Sequence, residues 1–319
     1  MSMFNRRTQV EAVEGLATDG LVRSKPSSQW KLALRRFRGH RSGMAGLTIV
    51  GLLVLVAIFA PIIAPYEPNE VLIGKEDVKP REKPCVHILG CDPEKPQHIM
   101  GTDGNVRDEF SRIVYGSRIS LSLGFSTVTL ALLVGGSLGA LAGYVGGWFD
   151  NLIMRIMDVI LGFPALLLAI AITAVLGRGL RNALIAIAIV TLPQYARLMR
   201  AQVLSIKESD YVAASQALGA NPRQLLVRRV IPNALTPLVV LATLGVAGAI
   251  LEAAALSFLG LGAQPPTAEW GTMLAAERNN IFTSPHLVFF PGVAIMITVL
   301  GFNLMGDGMR DALDPTLHR

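Results

Sequence analysis

The most reactive side chains in this sequence are few and sit close together. Cys85 and Cys91 are separated by Val-His-Ile-Leu-Gly, with Pro80, Pro84, Pro93 and Pro96 around them and His87 and His98 nearby. In an oxidising compartment such a pair forms a local disulfide. Free thiols are one alternative; a metal site shared with the histidines is another, but the spacing matches no zinc pattern and no metal is assigned. Other common chemistries lack their parts. The sequence holds no G-x-x-x-x-G-K-[ST] phosphate loop and no HExxH pair. His40, His87, His98, His286 and His318 all lie outside or at the ends of the apolar runs, so an intramembrane Ser-His dyad is not supported. The chain is expected not to be an enzyme. One acid, Glu252, stands about 20 residues into an apolar segment. At that depth it should face a cavity, a pathway or gate, or a partner group rather than lipid, with solvation at the interface as the other reading.

Composition decides what must position these groups. Hydrophobic residues make up 51% and charged residues 16% of the chain, and the mean hydropathy is +0.48. A water-facing globule carries about 25% charge. The net charge of +6 lies in blocks between apolar runs, the arrangement of a polytopic membrane protein rather than of a nucleic-acid binder. Stretches free of Asp, Glu, Lys, Arg and His cover residues 42–66, 119–149, 159–177, 182–196, 230–251 and 287–306. A helix needs about 20 mostly apolar residues to cross ~30 Å of hydrocarbon. The fourth stretch is short, but Arg181 and Arg197 can snorkel, and Leu198 and Met199 extend it. The expected fold class is therefore an all-α polytopic membrane protein with six transmembrane helices. Six crossings put both termini on one side, and the Lys and Arg bias makes that side cytoplasmic, although Arg178 and Arg181 run against the rule. The first apolar run is of span length and reads as a signal anchor, not a cleaved signal peptide.

Local patterns add detail. Residues 30–38 mix bulky apolar side chains with cations and suit a helix on an anionic leaflet; plain retention charge without a helix reads equally well. Residues 106–118 look like an interfacial helix. Gly135, Gly139, Gly143 and Gly147 recur every four residues, so one helix face admits a close neighbour, in this chain or in a partner. Pro164 and Pro193 are expected to kink the third and fourth spans. Arg155 and Asp158 are spaced as an i,i+3 ion pair.

The loop between the fourth and fifth spans specifies a helix, a turn and a second helix. Ser209 or Asp210 caps a helix from Tyr211 to Leu218, Gly219 supplies a left-handed stop, and Asn221, Pro222 and Gln224 take the N-cap, N1 and N3 positions of the next. Exposed small residues between two caps form a pre-shaped knob for a groove elsewhere; a solvated linker would not need them.

At these residues the sequence resembles the ABC importer permeases. Ala213-Ala214-Ser215, three residues, Gly219, and then Ile231-Pro232 is similar to their EAA loop. The family's usual Glu is Ala213 here and its second Ala is Ser215, which removes a charge and keeps the small surface and the glycine turn. A literal Glu252-Ala253-Ala254 has Phe258 in the glycine position and is a decoy. Other stretches resemble the C-type permeases of dipeptide and oligopeptide importers. They are Gly101-Thr102-Asp103, Arg107-Asp108, Ser111-Arg112, Tyr115-Gly116 and Arg118-Ile119-Ser120-Leu121, with Val106 where Gly is usual. Leu256-Ser257-Phe258-Leu259-Gly260-Leu261-Gly262, Trp270-Gly271, Phe302-Asn303-Leu304, Gly306-Asp307-Gly308, Arg310-Asp311 and Asp314-Pro315 complete the match.

The resemblance implies a type I ABC importer permease fold in a bacterial or archaeal inner membrane. Its divisions would be a mobile cytoplasmic tail (1–29), an interfacial helix with the first span (30–65), an external loop (66–118), a five-helix core with a coupling loop at 200–232 (119–306) and a cytoplasmic tail (307–319). It implies an ATPase-coupling surface of Tyr211, Ala213, Ala214, Ser215, Gly219, Ala220, Pro222, Arg223, Ile231 and Pro232, with Ser257 joining Glu252 as a pathway residue. Implied partners are a second, B-type permease, one or two ABC ATPase subunits carrying ATP and Mg, and a substrate-binding protein; no cofactor is implied on this chain. A non-peptide cargo such as a nickel chelate, or a secondary transporter, are the competing readings. No internal repeat supports the latter.

Overall fold

The computed structural model describes residues 29–313 and contains five helices long and apolar enough to cross a membrane. In chain order the helices of eight residues or more are α1 (Gln29–Gly39), α2 (Arg41–Ile58), α3 (Glu109–Val145), α4 (Gly147–Leu161), α5 (Ala165–Leu176), α6 (Leu180–Lys207), α7 (Asp210–Ala217), α8 (Ile231–Phe258), α9 (Trp270–Glu277) and α10 (His286–Leu313). Five of them, α2, α3, α6, α8 and α10, carry the continuous spans, and α4 with α5 makes a sixth only as a pair bent by 95°. Pro164 accounts for that break. Lacking an N–H, it stands ahead of α5 and not within a kinked helix as the sequence suggested, whereas α6 runs unbroken through Pro193. The expected mobile tail falls almost wholly outside the described residues, and 307–313 is the last part of α10 rather than a tail.

Lipid offers apolar helices no hydrophobic drive to associate, so they rely on close packing of small residues. Gly135, Gly139 and Gly143 supply it between α3 and α6. A Cβ on Gly135 would stand 2.6 Å from the Leu192 carbonyl oxygen, on Gly139 2.9 Å from the Ala196 Cα, and on Gly143 2.9 Å from the Arg200 carbonyl oxygen. This seam lies within the chain. Gly147 takes no part in it; it opens α4 with φ 62° and nothing within 4 Å. A second seam, unread in the sequence, joins α2 to α10. There a Cβ on Gly46 would come 2.7 Å from the Gly301 carbonyl oxygen, and one on Gly43 3.0 Å from the Gly308 Cα. Polar clasps add to the packing: Arg200 grips Asp150 through two bonds of 2.5 and 2.6 Å. Asp158 pairs with Arg197 of α6, at 2.5 Å, and not with its sequence neighbour Arg155.

Candidate functional site

Two helical runs of 37 residues, α3 and the run Pro222–Phe258 that ends in α8, are much longer than a bilayer needs, and their excess builds the two poles of the molecule. At ~1.5 Å per residue the 37 residues of α3 span about 55 Å. Of residues 106–118, expected as an interfacial helix, 109–118 are the first turns of α3 and are enclosed by a lobe made of residues 64–108 and 259–285. Asp108 caps α3, its Oδ2 accepting from the Ser111 N–H and hydroxyl at 2.7 Å each. His98 lies between two carboxylates, 2.8 Å from Asp108 Oδ1 and 3.1 Å from Glu76 Oε2. Both ring nitrogens can donate only in the imidazolium form. Burial works against that charge, but the hydrogen bonds to Asp108 and then Glu76 outweigh it, and the pKa lies above the ordinary histidine value. Tyr66 stacks on His98 with ring centroids 5.5 Å apart and donates to Glu76 at 2.9 Å.

Residues of the motif between Gly101 and Leu121 are the joints of this lobe. Arg107 pairs with Asp103 at 2.6 Å, and Arg112 donates to the Pro68 carbonyl at 2.7 Å. Trp270 donates to the Ile113 carbonyl at 3.1 Å, over Gly116, where a Cβ would meet the indole at 2.8 Å. Arg81 bonds Glu277 at 2.8 Å, an acid whose role no local pattern announces. Val106 adopts φ 56°, which explains a usual glycine there. Cys85 and Cys91 form a disulfide, with Cα atoms 5.4 Å apart.

At the opposite pole the turns from Pro222 run into α8, so the second helix of the loop is the start of a span. It comprises one α turn (Pro222–Leu225), a π turn (Leu226–Val230) and then α8 itself. The Asn221 side chain accepts from the Arg223 N–H at 3.0 Å, Pro222 follows as N1, and Gly219 ends α7 with φ 83°. Ser209 is the N-cap of α7, but its hydroxyl donates back to the Ile206 carbonyl at 2.6 Å. Val212 anchors the knob by burying in a cluster with Met199, Val203, Val230 and Ala234, and Leu225 is likewise buried. Tyr144 ties α3 to it, donating to the Pro222 carbonyl at 2.8 Å and accepting at its own carbonyl from Lys207 at 2.9 Å. Tyr211 Oη accepts from Asn233 at 3.3 Å. What remains outward is Tyr211, Ala213, Ala214, Gly219, Pro222, Arg223 and Pro232, with Ser215, Ala220 and Ile231 half-buried. Leu218 is 89% and Val227 61% exposed, two apolar side chains the sequence reading passed over.

The pathway candidates divide. Glu252 is half-buried beside exposed Leu251 on the less packed face of α8, and its Oε2 has no partner among the described residues. Ser257 faces inward: it is 2% exposed, and its hydroxyl oxygen accepts from the Ala263 N–H at 3.2 Å, fixing the turn after α8.

Comparisons with known proteins agree on one group. Residues 135–319 match the family described as binding-protein-dependent transport system inner membrane component, and residues 28–84 match the N-terminal TM domain of oligopeptide transport permease C. The chain is 47% identical over 91% of its length to the dipeptide transport system permease protein DppC of Alkalihalophilus pseudofirmus, covering 91% of that protein. Against the di/tripeptide transport system permease protein DppC of Pseudomonas aeruginosa it is 47% identical, with 88% of this chain and 90% of that one covered. The glutathione transport system permease protein GsiD of Pectobacterium atrosepticum is 41% identical, with 95% and 96% covered. In fold it is similar to a chain of the inward-facing MetNI methionine ABC transporter, with a TM-score of 0.53, 20% identity, and 64% of this chain and 96% of that one covered.

Proposed function

The chain belongs to the family of binding-protein-dependent transport system inner membrane components, and from that membership we propose that it is the C-type permease subunit of an ATP-driven peptide importer. One observation carries the coupling role. A knob with a glycine turn, an Asn221 cap and a buried root presents Leu218, Tyr211 and Val227 outward, at the pole opposite the outer lobe. Exposed apolar side chains on a rigid stem are the form of an interface waiting for its partner.

The proposed sequence of events follows from rigidity. An ATPase subunit in the cytoplasm receives the knob; when the ATPase pair closes on ATP, α7 moves with it. Because the Pro222 turns are continuous with α8, and Tyr144 links the knob to α3, that displacement reaches two spans directly. This permease and a second, B-type one then rock between inward-open and outward-open states, while a binding protein on the far side delivers cargo near the outer lobe. The orientation follows the Lys and Arg bias, with both termini cytoplasmic. The relatives' named cargoes, dipeptides, tripeptides and glutathione, are all peptides, which favours peptide over nickel chelate here. ATP and Mg are held by the ATPase subunits.

Gly219 makes the test. Its φ of 83° favours glycine, and a Cβ there would meet nothing within 4 Å, so Gly219→Val strains the backbone without a clash. In the full complex we expect this variant to insert normally and to lose peptide uptake and binding-protein-stimulated ATPase activity together. Wild-type uptake would remove the knob from the mechanism. Transport by the purified single chain, driven by an ion gradient, would favour a secondary transporter instead.

A further inference from the structure

A groove of about 630 Å³ opens between α1, α2 and the last turns of α10. Its walls are apolar, with Leu34 and Phe37 from α1, Leu47 from α2, and Met305 and Met309 from α10; one cation, Arg38, is at its edge. Three features distinguish it from a packing defect. First, the corner that forms it is built: His40 caps α2 by accepting from the Gly43 N–H at 3.3 Å, and its other ring nitrogen lies 2.9 Å from Asp311 of α10. The α1–α2 turn is thereby tied to the far end of the chain. Second, Gly43 and Gly308 touch beneath it, so the groove cannot close by helix approach. Third, Arg38 at its edge and Arg35 and Arg41, which flank it in sequence, are exposed, and among the described residues no carboxylate pairs with any of them. Asp311, the acid facing this corner, is already engaged by His40.

Apolar walls at the end of two membrane spans, with an unpaired arginine at the rim, match one ligand chemistry. We propose that this groove binds one acyl chain of an anionic phospholipid, whose phosphate is held by Arg38 with Arg35 and Arg41 alongside. Flexible methionine side chains suit an irregular, mobile hydrocarbon chain. Each cation near an anionic surface favours it by about fivefold. The site is independent of cargo and of ATPase coupling; the proposed orientation decides only which leaflet supplies the lipid.

Photoactivatable phosphatidylglycerol with a diazirine in its acyl chain tests this on the intact complex in nanodiscs, with crosslinks mapped by mass spectrometry. Crosslinks should concentrate on Leu47, Met305 and Met309 and be competed by unlabelled phosphatidylglycerol, but poorly by phosphatidylcholine. Arg38→Gln should reduce that preference by about fivefold, and Leu47→Trp should block labelling of Met305 while sparing labelling on the rest of the lipid-facing surface. Equal competition by both lipids, or labelling spread evenly over the exposed faces of α2 and α10, would overturn the proposal. Uptake activity, measured in parallel, reports on the permease reading separately.

Discussion

Two adjacent glycines of α3 provide an internal control for how the bundle is held. A methyl added at Gly135 would lie 2.6 Å from the Leu192 carbonyl oxygen and 3.2 Å from the Tyr195 Cβ. A C–H group approaches a carbonyl oxygen no closer than about 3.3 Å, so Gly135→Ala leaves α3 and α6 roughly 0.7 Å too close, against backbone that cannot rotate away. At Gly136 the nearest atom to the added methyl is the Leu238 Cδ2 at 3.8 Å, an ordinary contact. Both changes gain the same helix propensity, about 1 kcal/mol. Overpacking costs about 1–3 kcal/mol, so their difference isolates it. For soluble domains of 150–250 residues each kcal/mol moves Tm by about 2–4 °C; Gly135→Ala should melt several degrees below Gly136→Ala, which should match or exceed the parent. Thermal scanning of the purified complex in one detergent reads this directly. If the two variants melt within a degree of each other, the α3–α6 seam does not set the stability of the bundle.

Further expectations concern the outer lobe. His98 has a raised pKa, so its contribution is complete below its unfolded value of about 6.5 and is lost as pH rises through the higher folded value. Hydrogen-exchange protection of residues 66–76 and 98–108, corrected for intrinsic rates, should therefore fall between mildly acidic and alkaline pH, and His98→Gln should flatten that fall; an unchanged profile would exclude His98 as its cause. At Val106 (φ 56°), a left-handed conformation costs about 1–2 kcal/mol, comparable with the ~1.5–3 kcal/mol from burying the side chain. Val106→Gly should hence be close to neutral in melting temperature and Val106→Ala clearly lower; the reverse order would show that strain is absent. Reducing Cys85–Cys91, with a sequence separation of 6, should cost only about 2 kcal/mol. Two thiols should alkylate after reductant and none before, and unfolding of the whole lobe on reduction would contradict that estimate.

How much of this was legible beforehand depended on whether the determinant was local. The caps of the knob could be read at Asn221, Pro222 and Gly219, because capping is decided within four residues. The break at Pro164 was visible as a proline but not as a 95° turn, since the angle depends on what α4 and α5 pack against. Asp158 was matched with Arg155 because only neighbours are visible along a chain; its partner Arg197 comes from another helix. Ser257 looked available to a pathway until the fold turned it toward Ala263. The α2–α10 seam could have been suspected from Gly43, Gly46, Gly301 and Gly308, yet nothing in either stretch says that the other is its complement.

Composition and apolar run length alone determined that this chain is a helical membrane protein, because the bilayer admits only segments that satisfy their own backbone and span its thickness. Local spacing likewise determined the knob. Pairings between segments distant in sequence, Asp158 with Arg197, His98 with Glu76 and Asp108, His40 with Asp311, were decided only by the tertiary structure. A charge's partner is set by which helices stand side by side, and that depends on the packing of the whole bundle at once.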